Sequence, residues 1–148
     1  MESDFASVWS RVTGLRPTED ELTKLRRWMG DEAGELFAYE ALLRGSLSAS
    51  VRDTLKVLLR SKQRHLKELR TLYYLRTGDV RRLQGRTGQT KPPLMKALRD
   101  RYAASLALAE GYRSCNEDAR DLRALCAILA EDEDLNALRL RRMIKSLL

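Results

Sequence analysis

Val51-Arg-Asp-Thr-Leu-Lys-Val-Leu-Leu-Arg-Ser-Lys-Gln-Arg-His-Leu-Lys-Glu-Leu-Arg-Thr-Leu-Tyr73 is the stretch whose reading decides the fold. Taken in steps of four and three, it sets Val51, Leu55, Leu58, Lys62, His65, Leu69 and Leu72 on one side, the stripe of a helix that faces a bundle. A lysine and the only histidine of the chain interrupt that stripe one turn apart. Burying either without a partner is costly, so the question of function begins with what these two side chains face.

Working outward, the same period recurs on both sides. Upstream, Thr18-x-x-Glu21 after Pro17 reads as a capping box, opening a helix that runs to about Arg44 and stops at Gly45. Its inner row is Leu22, Leu25, Met29, Glu32, Leu36, Tyr39 and Leu43, which puts the Glu32 carboxylate on the core face. Asp31, Glu35 and Glu40 read as surface charges. Gly30 and Gly34 lower helix propensity around Glu32 and point to close approach of a neighbouring helix. Ahead of this helix, Phe5, Val8, Trp9 and Val12 share one side of a short amphipathic segment that ends at Gly14–Pro17.

The central helix starts near Ser48 or Ser50 and ends before Gly78, and the short loop before it makes the first two helices antiparallel neighbours. Residues 79–93 carry no apolar period but contain Gly85, Gly88, Pro92 and Pro93. This is long for a helix–helix turn and suits a crossover along a bundle. A third helix follows to about Tyr112, with Leu94, Leu98, Arg101 or Tyr102, Ser105, Leu108 and Tyr112 inward. After a capping turn at Ser114–Asp118, a fourth runs from Asp118 towards the C-terminus with Leu122, Leu125, Leu129, Glu133, Asn136, Leu140, Met143 and Leu147 inward. A faint repeat joins the halves: Glu32 and Tyr39 align with Ser105 and Tyr112, while Leu58, Lys62, His65 and Leu69 align with Leu129, Glu133, Asn136 and Leu140.

Composition bounds the class. A chain of 148 residues, 43% hydrophobic and 33% charged with three prolines, reads as one soluble all-α domain over 1–148. It has no apolar run long enough for a membrane span, and its acidic start is unlike a signal peptide, so the expected location is cytoplasmic. Cys115 and Cys126, placed on one helix, would stand roughly 16 Å apart and be unable to pair. Of the net charge of +7, +6 falls in residues 76–101, which hold eight basic and two acidic side chains. A basic run of this kind either meets nucleic acid, which makes the chain a basic helical adaptor acting through residues 76–101, or is a solvated loop; it lacks interleaved aromatics.

Each helix thus brings polar residues to mid-stripe: Glu32, then Lys62 with His65, then Ser105, then Glu133 with Asn136. A carboxylate di-iron bundle needs one glutamate from each of two helices and Glu-x-x-His from each of the others. With Asp31-Glu32 followed seven residues on by Tyr39, with His65-Leu-Lys-Glu-Leu-Arg-Thr-Leu-Tyr-Tyr-Leu-Arg-Thr-Gly78, and with Tyr112 and Asp132-Glu133, the chain resembles the rubrerythrin-like branch of the ferritin-like family over residues 5–147. The resemblance implies an antiparallel four-helix bundle with one long crossover and a short N-terminal helix. It also implies a di-iron site for peroxide reduction or iron oxidation, and a homodimer; Trp9, Trp28 and Tyr73–Tyr74 read either as contacts on a dimer face or, as helical aromatics more often are, as plain core.

The family's ligand positions fall on Glu32, Lys62, His65, Ser105, Glu133 and Asn136, of which only Glu32, His65 and Glu133 keep a ligand-type residue. One histidine cannot build a two-histidine site, and no Cys-x-x-Cys exists for a rubredoxin-type electron-transfer iron. Three outcomes follow. The Lys62 ammonium takes the place of metal charge between Glu32 and Glu133, in a protein kept for structural or interaction purposes without a cofactor. Alternatively, Glu32, His65 and Glu133 hold iron or another divalent ion in a non-heme oxidoreductase. In the third, Lys62 snorkels outward and no site exists.

Overall fold

The apolar stripes find one another in four helices, α1 (Glu19–Leu43), α2 (Ala49–Thr77), α3 (Leu94–Arg113) and α4 (Arg120–Leu147). The computed structural model describes residues 18–83 and 92–148. The expected Phe5–Val12 helix, with Trp9, and residues 84–91 of the expected crossover lie outside them. Among the described residues there is no strand, and no helix is long and apolar enough to cross a membrane.

The ends follow local chemistry. The Thr18 hydroxyl accepts the Glu21 N–H at 3.1 Å, but the Glu21 carboxylate turns away to Arg76, so only half of the capping box forms. Ser48 caps α2 by accepting the Val51 N–H at 3.3 Å, and Gly78 ends it in the left-handed conformation, φ 71°, that favours glycine. Arg52 closes the α1–α2 turn: its guanidinium donates to the Leu43 and Gly45 carbonyls, both at 2.8 Å. The cap expected from Ser114–Asp118 is absent. Ala119 occupies that position, and Asp121 instead accepts the Leu122 N–H.

Packing is closest within the hairpins α1–α2 and α3–α4; α2 meets α4 to join them, and α1 meets α3 most sparsely. Two apolar clusters give the directions. One joins Leu25 and Met29 of α1, Leu72 of α2, Tyr112 of α3 and Leu122 of α4. The other joins Leu42, Val51, Leu98 and Leu140. Late α2 therefore lies with late α3, so these two helices run the same way, and the 79–93 connection joins opposite ends of the bundle. Fully burying a leucine is worth about 1.5–3 kcal/mol, and Leu25, Leu55, Leu69, Leu98, Leu122 and Leu140 are all sealed from solvent.

The α2 stripe is buried throughout, from Val51 to Leu72. The α1 stripe is rotated from its expected position: Leu22, Leu36 and Leu43 are only half-buried, whereas Glu21, Trp28, Glu35 and Leu42, seven residues apart, face inward. Contact with α3 as well as α2 widens the buried face of α1. Glu35 is thus no surface charge. Gly30 and Gly34 are exposed, and a methyl group placed on either would meet nothing within 4 Å, so neither marks a helix contact; Gly111, where a methyl would stand 3.6 Å from the Trp28 indole nitrogen, does. Trp28 and Tyr73 belong to the core, and only Tyr74 of the candidate dimer contacts described here is exposed. On α4, Leu125 is half-buried and Leu147 exposed.

Candidate functional site

Between the two apolar clusters lies a polar layer assembled from all four helices. Glu32, Lys62, Ser105, Glu133 and Asn136 have no exposed surface and His65 has 1%. All six sequence-derived positions come to this level. Helical period explains it: each residue replaces one apolar step of its stripe, and the bundle aligns those steps.

The Lys62 ammonium donates to Glu133 and stands 3.5 Å from Glu32. It does not snorkel. Both nitrogens of His65 face carboxylates: Nδ1 is 3.3 Å from Glu32 and 3.1 Å from Glu133, and Nε2 is 3.0 Å from Asp132. Such a ring is best satisfied with both nitrogens protonated. Burial pulls the imidazole down, but Glu133, Glu32 and Asp132 outweigh it and raise His65 to about 9. Glu133 is pushed up by burial and more than compensated by His65 and Lys62, which leaves it below the usual carboxylate range. Two buried carboxylates therefore meet two buried cations, with half-exposed Asp132 at the edge.

A pseudo-twofold relation organises the remaining contacts. Tyr112 of α3 donates to Glu32 of α1 at 2.8 Å, and its phenol is held protonated by burial and by that carboxylate. In the equivalent position, Tyr39 of α1 lies beside Ser105 of α3, although neither hydroxyl completes a well-formed hydrogen bond. His65 meets Asp132, while its counterpart Asn136 donates to Ser61 at 2.9 Å. Ser61 and Asp132 are separated by the same 71 residues as Lys62 and Glu133, so the repeat offset was the signal that pointed to Ser61. Lys62 and Glu133 meet across the pseudo-axis.

Two further ion-pair sets were missed in the sequence. Glu35 pairs with Arg101 at 2.9 Å, and burial, only partly offset by Arg101 and Lys62, lifts its carboxyl to about 7. At one end of the bundle, buried Arg76 binds Glu21 and grips Asp121 with two nitrogens at 2.7 and 3.3 Å. Arg76 continues the α2 stripe by one more step of four from Leu72, a signal that was available. These pairings thin the expected basic patch: Arg76 and Arg101 answer acids of α1, Lys96 pairs with Asp100 at 3.0 Å, and Arg86 and Lys91 lie outside the described residues.

The cysteines also differ from expectation. Cys115 stays in the turn before α4 and packs against the cluster holding buried Cys126. Burial first, and the Cys115 thiol second, push Cys126 up, so the two groups are neighbours and not a helix-length apart; both are free thiols.

The layer does not fit a carboxylate-bridged di-metal centre. Of six positions, three carry an ammonium, a hydroxyl and an amide, which supply neither a bridging carboxylate nor a second imidazole. Ligand atoms of Glu32, His65 and Glu133 do lie within 4.8 Å of one another, the spacing of a single-ion site. An ion there would have to displace the Lys62 ammonium from Glu133 and take a proton from His65. No family model, no curated protein and no solved structure matches the chain.

Proposed function

We propose that the chain is a rubrerythrin-like, ferritin-fold protein whose di-iron centre has been replaced by a buried ion-pair layer, and that it serves as a structural or interaction protein. The observation that carries this reading is the Lys62 ammonium, sealed from solvent, against Glu133 and 3.5 Å from Glu32. One cation on a long stem answers two carboxylates that would otherwise repel in a low-dielectric core. A metal ion answers that need in a di-iron protein. The shared direction of α2 and α3, joined end to end by 79–93, supports the ferritin-like part of the reading.

A second reading, a redox protein with one iron or other divalent ion on Glu32, His65 and Glu133, draws on the convergence of those three side chains. Anaerobic Fe(II) loading followed by metal analysis separates the two. The ion-pair reading expects no stoichiometric iron in the unmodified chain, and iron uptake once Lys62→Glu, Ser105→Glu and Asn136→His together restore the full ligand pattern. Stoichiometric iron in the unmodified chain, lost in Glu32→Ala, overturns it in favour of the metal reading.

A further inference from the structure

A groove of about 490 Å³ follows the outer face of α2 from Gln63 to Tyr74, with Leu36 of α1 beside it, to the start of the 79–93 connection. Leu36, Leu66 and Val80 give it an apolar floor, and Lys67, Arg70 and Arg81 a cationic rim. No acidic side chain lines it among the described residues. Two of its large side chains stand well out of the core, Tyr74 at 47% exposure and Val80 at 61%. The chemistry selects an occupant that is apolar on one side and acidic at an edge.

The chain itself carries such a segment. Phe5, Val8, Trp9 and Val12 fall on one side at helical spacing, and Glu2 and Asp4 precede them. Glu21 in the first turn of α1 binds Arg76 in the last turn of α2, so Thr18 stands at the same end of the bundle as Val80 and Arg81, at one end of the groove. The reach is sufficient. Residues 13–17 span up to roughly 16 Å when extended. Eight helical residues add about 12 Å, against about 27 Å from Thr18 to Leu36 along α1.

We propose that residues 2–12 dock in this groove, with Phe5, Val8, Trp9 and Val12 on the apolar floor and Glu2 and Asp4 against the cationic rim. The occupant is the chain's own leading segment because it supplies both required surfaces and is tethered at the groove's end, which raises its effective concentration over any free partner. Docking there would also shield Lys67, Arg70 and Arg81 from other acidic molecules.

The test uses the full-length chain with Trp9→Cys and Tyr74→Cys under mild oxidation, read by intact mass, peptide mapping and non-reducing gels. Tyr74 is half-exposed, so its replacement leaves the core alone. A disulfide between the two introduced cysteines within one monomer is expected, forming roughly tenfold faster than for Trp9→Cys with Met95→Cys, whose α3 site lies at the opposite end of the bundle. Adding Glu2→Lys and Asp4→Lys should slow it several-fold. Equal rates for the two pairs, a bond only between two copies, a bond to Cys115, or no bond overturns the proposal.

Discussion

Lys62 and Arg76 stand about four turns apart on one face of α2, and each takes one carboxylate from α1 and one from α4. For the lysine these are Glu32 and Glu133, both without exposed surface; for the arginine they are Glu21, 5% exposed, and Asp121, 42% exposed. At the bundle end, a planar guanidinium can grip two acids while one of them stays in water. At the centre, water is excluded and a compact ammonium must answer both carboxylates, with His65 supplying the second positive charge. The same three-helix junction thus acts as a solvent-edged clasp in one place and as a closed charge layer in the other. Depth in the bundle, more than residue type, sets how much each cation matters.

The comparison can be broken most directly at Lys62. Lys62→Met leaves two buried carboxylates sharing one imidazolium and should destabilise the fold by about 3–5 kcal/mol in urea unfolding. Adding Glu133→Gln should recover part of that loss. A near-neutral Lys62→Met would remove the distinction between centre and end.

A titration is the next test. His65 is raised from 6.5 to about 9, so the folded state holds this proton more tightly than the unfolded chain. Its contribution is fully present below pH 6.5 and is lost as pH rises through 9, a decline on the order of 3 kcal/mol. Glu35, raised from 4.5 to about 7, favours the fold most below pH 4.5, and its contribution is lost as pH rises through 7. Urea midpoints between pH 7.5 and 9, above the range in which Glu35 titrates, should therefore fall in the native chain and flatten in His65→Gln, but keep falling in Arg76→Met. A slope that survives in His65→Gln would place the titrating group elsewhere.

The smallest effect belongs to the clasp. Arg76→Met should cost about 2 kcal/mol, less than the central substitution, because water can reach Asp121 once the guanidinium is gone. Salt should weaken the arginine contribution more than the lysine one, since only the end of the bundle admits counter-ions. Equal losses with equal salt dependence would mean that depth does not separate the two sites.

Much of this comparison was legible before any coordinates. Val51, Leu55, Leu58, Lys62, His65, Leu69 and Leu72 are all buried as their spacing requires, because one helical period places every one of them. Glu32, Ser105, Glu133 and Asn136 reach the same level for the same reason. Arg76 reads only as part of the basic run and Glu21 only as a helix cap, although each extends an inner row by one step of four, beyond Leu72 and before Leu25. A charged residue at the end of a stripe reads as the end of the buried face. Glu35 was harder: helical period alone does not say how far a face is covered, and α3 covers that side of α1.

The amino-acid sequence by itself determined the four helices, the inward row of α2 and the meeting of six polar residues at mid-bundle, since helical geometry fixes which side chains share a face. Only the tertiary structure decided that the Lys62 stem turns inward to Glu133, that Asp132 and Ser61 complete the edge of the layer, that Glu35 is buried with Arg101, and that Cys115 returns to Cys126. Those outcomes depend on the rotation of neighbouring helices and on the direction of long, flexible side chains. Their preference is set by the charges brought within reach across the bundle, which no local spacing contains.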